Sequence, residues 1–295
     1  MTSNIDRVAF NLFGWDVYWY GIIMFIAMLL GYVVANREMV KKGFNKDLLM
    51  DMMFYIIIFS LIGARLYFVL FNIGYYIQNP LEIFAVWEGG MAIHGGLIGG
   101  VLAGVYFTQK HKYSFFQFAD ILIPSVLLGQ AIGRWGNFIN QEAHGGPVSR
   151  AFLENLHIPE FIINHMNIDG TYYHPTFLYE SIWNILGFVL LIILRPKLKV
   201  GQTLFIYMIY YSIGRFFIEG MRTDSLMFFG GLRTAQLMSL GLIILAIVLW
   251  IYREIKMKPP VYGEVYGNLL SDKDRKKARR KQAVKTVKAN KKRKK

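Results

Sequence analysis

The sequence predicts an all-α protein that crosses a membrane seven times, with its N-terminus outside, its C-terminus in the cytoplasm and a small extracytoplasmic cap. Three observations predict it. Of 295 residues, 55% are hydrophobic and only 18% charged, which is more apolar than a soluble domain. Seven runs approach the roughly 17 to 25 apolar residues that about 30 Å of hydrocarbon requires. Basic residues collect on alternate connections between those runs, and that bias sets the direction of each crossing.

The N-terminal segment carries Arg7 beside acidic Asp6 and Asp16 rather than a basic cluster, so the first run, 18–36, reads as a retained span and not as a signal peptide. Trp15, Tyr18, Trp19 and Tyr20 precede it as an aromatic belt, the ordinary reading of Tyr20 taken alone. The second run, 50–71, holds Arg65 toward its outer end. The third, 91–109, opens on His94-Gly95-Gly96-Leu97-Ile98-Gly99-Gly100. Its imidazole can serve as a general base near neutral pH. The spacing of four between Gly96, Gly100 and Gly104 also lets a neighbouring helix approach closely.

The fourth run, 115–133, leaves the membrane through a dense polar segment from Gly133 and Arg134 through Asn137, Asn140, Gln141 and Glu142 to His144 and Gly145. A lone arginine there would reach for headgroups, but two asparagines, a glutamate and glycines beside it suit a site that holds a lipid phosphate. The loop of about 134–175 continues with Gly145-Gly146-Pro147 and an apolar stretch at 156–163, and is expected to form the cap or a re-entrant segment. Pro175 starts the fifth run, 176–194, with His174 before it and Glu180 near its outer end, as lining or orienting groups. In the sixth, 202–221, Tyr211, Arg215 and Glu219 are spaced by four and share one helix face. Arg222 and Asp224 follow as a surface pair. The seventh run, 235–252, closes on Trp250 and Tyr252.

The net charge of +14 is a property of the end of the chain. Residues 253–295 hold 17 Lys or Arg against Glu254, Glu264, Asp272 and Asp274, leaving the rest close to neutral. A nucleic-acid partner is therefore not indicated, and the tail reads as a disordered cytoplasmic segment or a partial helix on anionic headgroups. Without the tail, the connections assigned to the cytoplasm carry 9 basic residues and the outer ones 5, which places the N-terminus outside.

A charge inside a span costs at least about 2.5 kcal/mol and needs a partner, a cavity or a task. Arg65, Glu180, Arg215 and Glu219 are such groups, and this topology puts all four toward the outer face. A buried ion pair that fixes helix packing is the structural alternative. With no cysteine and no H-E-x-x-H among six histidines, a thiolate nucleophile and a metal site are disfavoured. No Walker loop or G-x-S-x-G elbow is present. The seventh run has no lysine for a retinal Schiff base.

Four segments together, His94-Gly95-Gly96-Leu97-Ile98-Gly99, Gly133-Arg134 through Asn140, His174-Pro175-Thr176, and Gly214-Arg215 through Glu219 and Arg222, resemble the bacterial prolipoprotein diacylglyceryl transferase family in its order, over about residues 10–255. Phe177 stands where the family usually has a polar residue. The resemblance implies transfer of the diacylglyceryl group of phosphatidylglycerol to the thiol of the lipobox cysteine in a prolipoprotein signal peptide, with release of sn-glycerol 1-phosphate and no cofactor. It implies that Arg134 binds phosphatidylglycerol, that Asn137, Glu142 and Gly145 are required signature positions, and that Tyr20, His94, Tyr211, Arg215 and Glu219 are functional.

On this reading Arg134 and Arg215 hold the phosphate, Glu219 fixes Arg215, and Asn137 and Asn140 orient the headgroup. His94 or a neighbouring carboxylate takes the thiol proton. Residues 1–252 form the transmembrane catalytic domain, in a bacterial cytoplasmic membrane and among its lipids. A lipid or anion transporter, which would bind phosphate without chemistry, and a structural or receptor protein are the competing classes; seven runs without a repeat speak against the first.

Overall fold

The computed structural model describes residues 5–223 and 233–267. Ten α-helices occur among them: α1 (Trp19–Lys41), α2 (Leu48–Phe71), α3 (Ile73–Gln78), α4 (Ile93–Lys110), α5 (Phe115–Asn140), α6 (Arg150–Asn155), α7 (Glu160–His165), α8 (Thr176–Leu194), α9 (Gln202–Met221) and α10 (Thr234–Lys256). A helix stands at each of the seven predicted runs. Five of them, α1, α2, α5, α8 and α10, are long and apolar enough to cross a membrane. The glycine-rich α4 and the tyrosine-bearing, charged α9 do not reach that mark.

The expectation of an all-α chain needs correction, because short strands occur at two places. β1 (Val8–Leu12) and β2 (Trp15–Tyr18) form an antiparallel hairpin. Phe13 and Gly14 turn it with φ of +52° and +87°, the paired left-handed conformation of tight hairpin turns. In the cap, β3 (Pro147–Val148), β4 (Asn167–Ile168) and β5 (Thr171–Tyr173) make an antiparallel sheet in the order β3-β5-β4. Runs this short carry too little alternation to announce strands.

Contacts divide the chain into two compact units, Met1–Arg37 with Ala119–Glu264 and Glu38–Phe118 with Val265–Lys295. In the second unit α2 packs on α4. The close approach expected of Gly96, Gly100 and Gly104 falls mainly one residue earlier, where a side chain on Gly95 or Gly99 would strike the backbone of Gly63 or Phe59. Arg65 is only 7% exposed. Its guanidinium donates to the carbonyls of Ile83 at 2.8 Å, Glu82 at 2.5 Å, Gly89 at 2.8 Å and Gly90 at 3.0 Å. Its task is thus to gather the segment 80–90, which consists of two short 3-10 helices, Pro80–Phe84 and Val86–Glu88, and the two glycines after them. Replacing it by alanine strands those carbonyls. The expected result is a melting temperature lower by several degrees and faster proteolytic nicking within 80–90, read by scanning calorimetry and limited proteolysis.

The first unit holds the cap, α5, α8, α9 and α10. The apolar stretch 156–163 supplies Ile158, Ile162 and Ile163 to the cap core, with Phe138, Leu153, Met166 and Phe177. At the opposite end of α9, the fully buried Asp120 accepts from Gly201 N at 2.6 Å and Leu204 N at 3.3 Å. This carboxylate from α5 satisfies the first turn of α9 as a cap residue would. Arg253 and Tyr262, assigned from sequence to the tail, are 5% and 1% exposed. Tyr262 N donates to Leu198 O at 2.7 Å. The rest of the basic tail, 268–295, lies outside the described residues.

Candidate active site

α5 does not end at 133, where the apolar run stops. It continues through Asn140, because the polar side chains of the added two turns find partners. Arg134 Nε pairs with Glu180 Oε2 of α8. The other oxygen of Glu180 holds Arg215 Nη1 of α9 at 2.6 Å, and Arg215 Nη2 meets Glu219 Oε2 at 2.5 Å across one helical turn. The result is an unbroken row of alternating charge, Arg134 to Glu180 to Arg215 to Glu219. Glu180 and Glu219 are 5% and 4% exposed. Two buried carboxylates balance two partly buried guanidiniums, which is the condition for holding four charges away from water. Among the described residues, Arg134 Nη2 and Arg215 Nε are left over after these contacts.

A second network starts from the same arginine. Arg134 Nη1 donates to Asn137 Oδ1 at 3.3 Å, and Asn137 Nδ2 donates to Glu142 Oε1 at 2.8 Å. Asn140 Nδ2 reaches the same oxygen at 3.3 Å. The loop that carries Glu142 is tight: Gln141 and Ala143 sit at φ of +53° and +59°, a conformation that side chains other than glycine adopt at a cost. Thr176 Oγ1 secures it by donating to Ala143 O at 2.5 Å. Gly145 follows, pairing with His174 O through its N–H at 3.0 Å. Any side chain on Gly145 would strike His174 Cβ and press on Met221 O, so glycine is required by close approach.

Each predicted residue has a place. Arg134, Arg215, Glu219, Asn137, Asn140 and Glu142 are gathered in the two networks, with Gly145 in the loop beside them. The Tyr20 ring of α1 lies in the space that Gly136 leaves by having no side chain. Tyr211 stacks on Tyr207 at 5.7 Å, one turn deeper than Arg215 on the same face. His94 belongs to the other unit, in the first turn of α4 with its ring 6.1 Å from that of Tyr67. A narrow pocket is lined by Arg134, Asn137, Ala143, Thr176, Phe177, Glu180 and Arg222. Phe177 has its ring 4.5 Å from Phe138 and 5.3 Å from Trp135, joining cap core to pocket. Asp224, the expected partner of Arg222, lies outside the described residues.

Burial lowers the proton affinity of His174 below the usual histidine range. The ring is therefore neutral near pH 7, and its Nδ1 can accept from the Tyr179 hydroxyl 3.2 Å away. Two residues carry more of the site than the sequence reading gave them. Among the described residues Glu180 is the one carboxylate that touches both arginines, and counting two intramembrane arginines against the carboxylates available would have found it. Arg7 donates to Asn140 O at 2.9 Å and so holds the end of α5 with a positive charge. No local signal could show that, since 133 residues separate the two.

A family model described as prolipoprotein diacylglyceryl transferase matches residues 7–252. The chain is 58% identical over 263 residues to the phosphatidylglycerol--prolipoprotein diacylglyceryl transferase of Staphylococcus aureus strain MSSA476, covering 89% of this chain and 94% of that protein. The protein of the same name in Staphylococcus aureus strain JH9 is equally similar, at 58% identity over 263 residues.

Proposed function

Since the chain belongs to the prolipoprotein diacylglyceryl transferase family, we propose that it is a phosphatidylglycerol--prolipoprotein diacylglyceryl transferase whose chemistry is carried by the arginine and carboxylate row. It moves the diacylglyceryl group of phosphatidylglycerol to a prolipoprotein, the first step of bacterial lipoprotein maturation. The acceptor is the lipobox cysteine of the signal peptide. The observation that supports this most is Glu180, which lines the pocket beside Arg134 and pairs with both Arg134 and Arg215.

The thiolate sulfur attacks the glycerol carbon that bears the phosphate oxygen. A carbon–sulfur bond forms, the carbon–oxygen bond breaks, and its electron pair leaves with sn-glycerol 1-phosphate. The thiol proton passes to a base. Arg134 Nη2 and Arg215 Nε are the groups left to grip the phosphate oxygens with charge-assisted hydrogen bonds, which strengthen as negative charge gathers on the leaving group. Glu180 and Glu219 hold the two guanidiniums in place. Asn137, Asn140 and Glu142 orient the headgroup around Arg134, with Gly145 closing the loop, and Tyr20 and Tyr211 line the approach. His94 or a neighbouring carboxylate takes the proton. No cofactor enters.

The chain spans the bacterial cytoplasmic membrane seven times, with α4 and α9 among the spans, the N-terminus outside and the basic tail in the cytoplasm. The reacting groups then face the outer side, where a translocated signal peptide and lipid meet. The test is direct. Purified protein in phosphatidylglycerol bilayers should add a diacylglyceryl mass to a lipobox peptide and leave a Cys-to-Ser peptide unchanged in mass spectrometry. A folded sample that adds nothing to the cysteine peptide removes the assignment.

A further inference from the structure

Three helices change character together as they run inward from the ion row. On α5, Arg134 is followed inward at helical spacing by Gln130, Leu127 and Ile123. On α8, Glu180 is followed by Asn184 and Leu191; on α9, Arg215 by Tyr211, Tyr207 and Leu204. Two contacts fix their register. Ser181 Oγ donates to Ala131 O at 2.9 Å, and Gln130 Nε2 donates to the Tyr207 hydroxyl at 3.0 Å. Counted inward from Ser181 and Ala131, Asn184 lies within about one turn of Gln130, which meets Tyr207 directly. Below it, Ile123, Leu127 and Leu191 form an apolar cluster against Tyr207 and Tyr211. Charged, neutral polar and apolar tiers thus follow one another down the same three faces.

The middle tier carries polar atoms without a hydrogen-bond partner among the described residues, the acceptor Gln130 Oε1 and the donor Asn184 Nδ2. Asn184 is 1% exposed, and its Nδ2 has no hydrogen-bond partner among the described residues. An amide so placed in an apolar helix is destabilising unless an acceptor meets it. The Tyr207 hydroxyl accepts from Gln130 and retains its own proton for another acceptor.

We propose that Asn184 Nδ2 and the Tyr207 hydroxyl form a subsite for the two ester carbonyls of the diacylglyceryl group, one turn below the phosphate grip. This rests on the transferase reading and deepens it. A glycerophospholipid has the same order of chemistry, anionic phosphate, then neutral carbonyl acceptors, then hydrocarbon. The subsite selects diacyl over dialkyl glycerolipids, because an ether oxygen in place of the ester leaves no carbonyl to meet the buried amide.

Dialkyl phosphatidylglycerol, which keeps the headgroup and chains but lacks both carbonyls, is the probe. Binding of the two lipids to the purified full chain is measured by native mass spectrometry, and turnover with a lipobox peptide is measured separately. Wild-type protein should prefer the diacyl lipid at least about tenfold in both. In Asn184→Leu, which keeps the branched shape and removes the donor, the preference should shrink through loss of the diacyl lipid alone. Equal binding of the two lipids by wild-type protein overturns the subsite and requires no variant to fold. An unchanged preference in folded Asn184→Leu also overturns it, and marks an amide satisfied by water or by the protein itself. A binding preference without any transfer refutes the transferase reading and leaves the subsite standing.

Discussion

Glu180→Gln should lower kcat/KM for diacylglyceryl transfer by roughly 100-fold or more while the protein stays folded. The substitution keeps shape and removes one negative charge from the middle of the row. Arg134 then loses its charged partner, and Arg215 keeps only Glu219. Both guanidiniums are 18% to 22% exposed at their side chains, so they can turn toward solvent or headgroups instead of the pocket. The loss is positional, because Glu180 acts on the substrate only through the arginines. Glu180→Asp, which preserves charge but shortens the reach, should recover part of the rate, and a purely structural role predicts no such ordering once activity is divided by the folded fraction. Glu180→Ala should add a stability cost of about 3 kcal/mol by leaving two partly buried charges unmatched, seen as a melting temperature lower by roughly 6 to 12 °C. Near wild-type kcat/KM in folded Glu180→Gln would show that the row is structural.

The sequence shows the helices better than their uses. A helix stands at each of the seven apolar runs, and five of these helices are long and apolar enough to cross a membrane, because a helix with apolar surroundings leaves a pattern along its whole length. The ends differ where side chains supply what composition cannot show: α5 runs on to Asn140 because Arg134 and Asn137 are satisfied by Glu180 and Glu142. The hairpin at Val8–Tyr18 was hidden inside what reads as an aromatic belt, since Trp15 and Tyr18 suit either. The glycine stripe was offset by one residue because α4 meets α2 along Gly95 and Gly99, and rotation of a helix about its own axis is set by its partner.

Motif and spacing were enough to bring Arg215 to Glu219 and Arg134 to Asn137, relations that lie within one helical turn. Arg65 was grouped with them by charge alone, and the structure gives it a different task, carbonyl capture in the second unit. Glu180 was legible as an intramembrane charge but its double partnership was not. Asn184 was invisible, since one neutral amide in an apolar run does not disturb its average; Asp120 stood in its run as a charge, as Glu180 did, but its capping of the distant first turn of α9 left no local sign.

Arg215→Lys carries the other large effect. The exchange retains a positive charge, so a site that only needed electrostatic attraction would keep most of its rate. Arg215 does more than attract. Its Nη1 and Nη2 hold Glu180 at 2.6 Å and Glu219 at 2.5 Å, which orients the plane of the guanidinium and aims the remaining Nε. A lysine ammonium is one compact centre on a flexible stem; it can sit between the two carboxylates or reach the phosphate, and has no rigid fork with which to do both. Turnover should fall by roughly 100- to 1000-fold, with the melting temperature changed by no more than a few degrees because the buried carboxylates keep a cation. The signature is a loss confined to kcat if the grip forms as the carbon–oxygen bond breaks, and a rise in KM if it serves ground-state binding equally. Measuring both over a range of phosphatidylglycerol fractions in the bilayer decides between them. Retention of full turnover by the lysine variant would reduce Arg215 to a counter-ion for Glu180 and Glu219, leaving Arg134 alone to carry the departing phosphate.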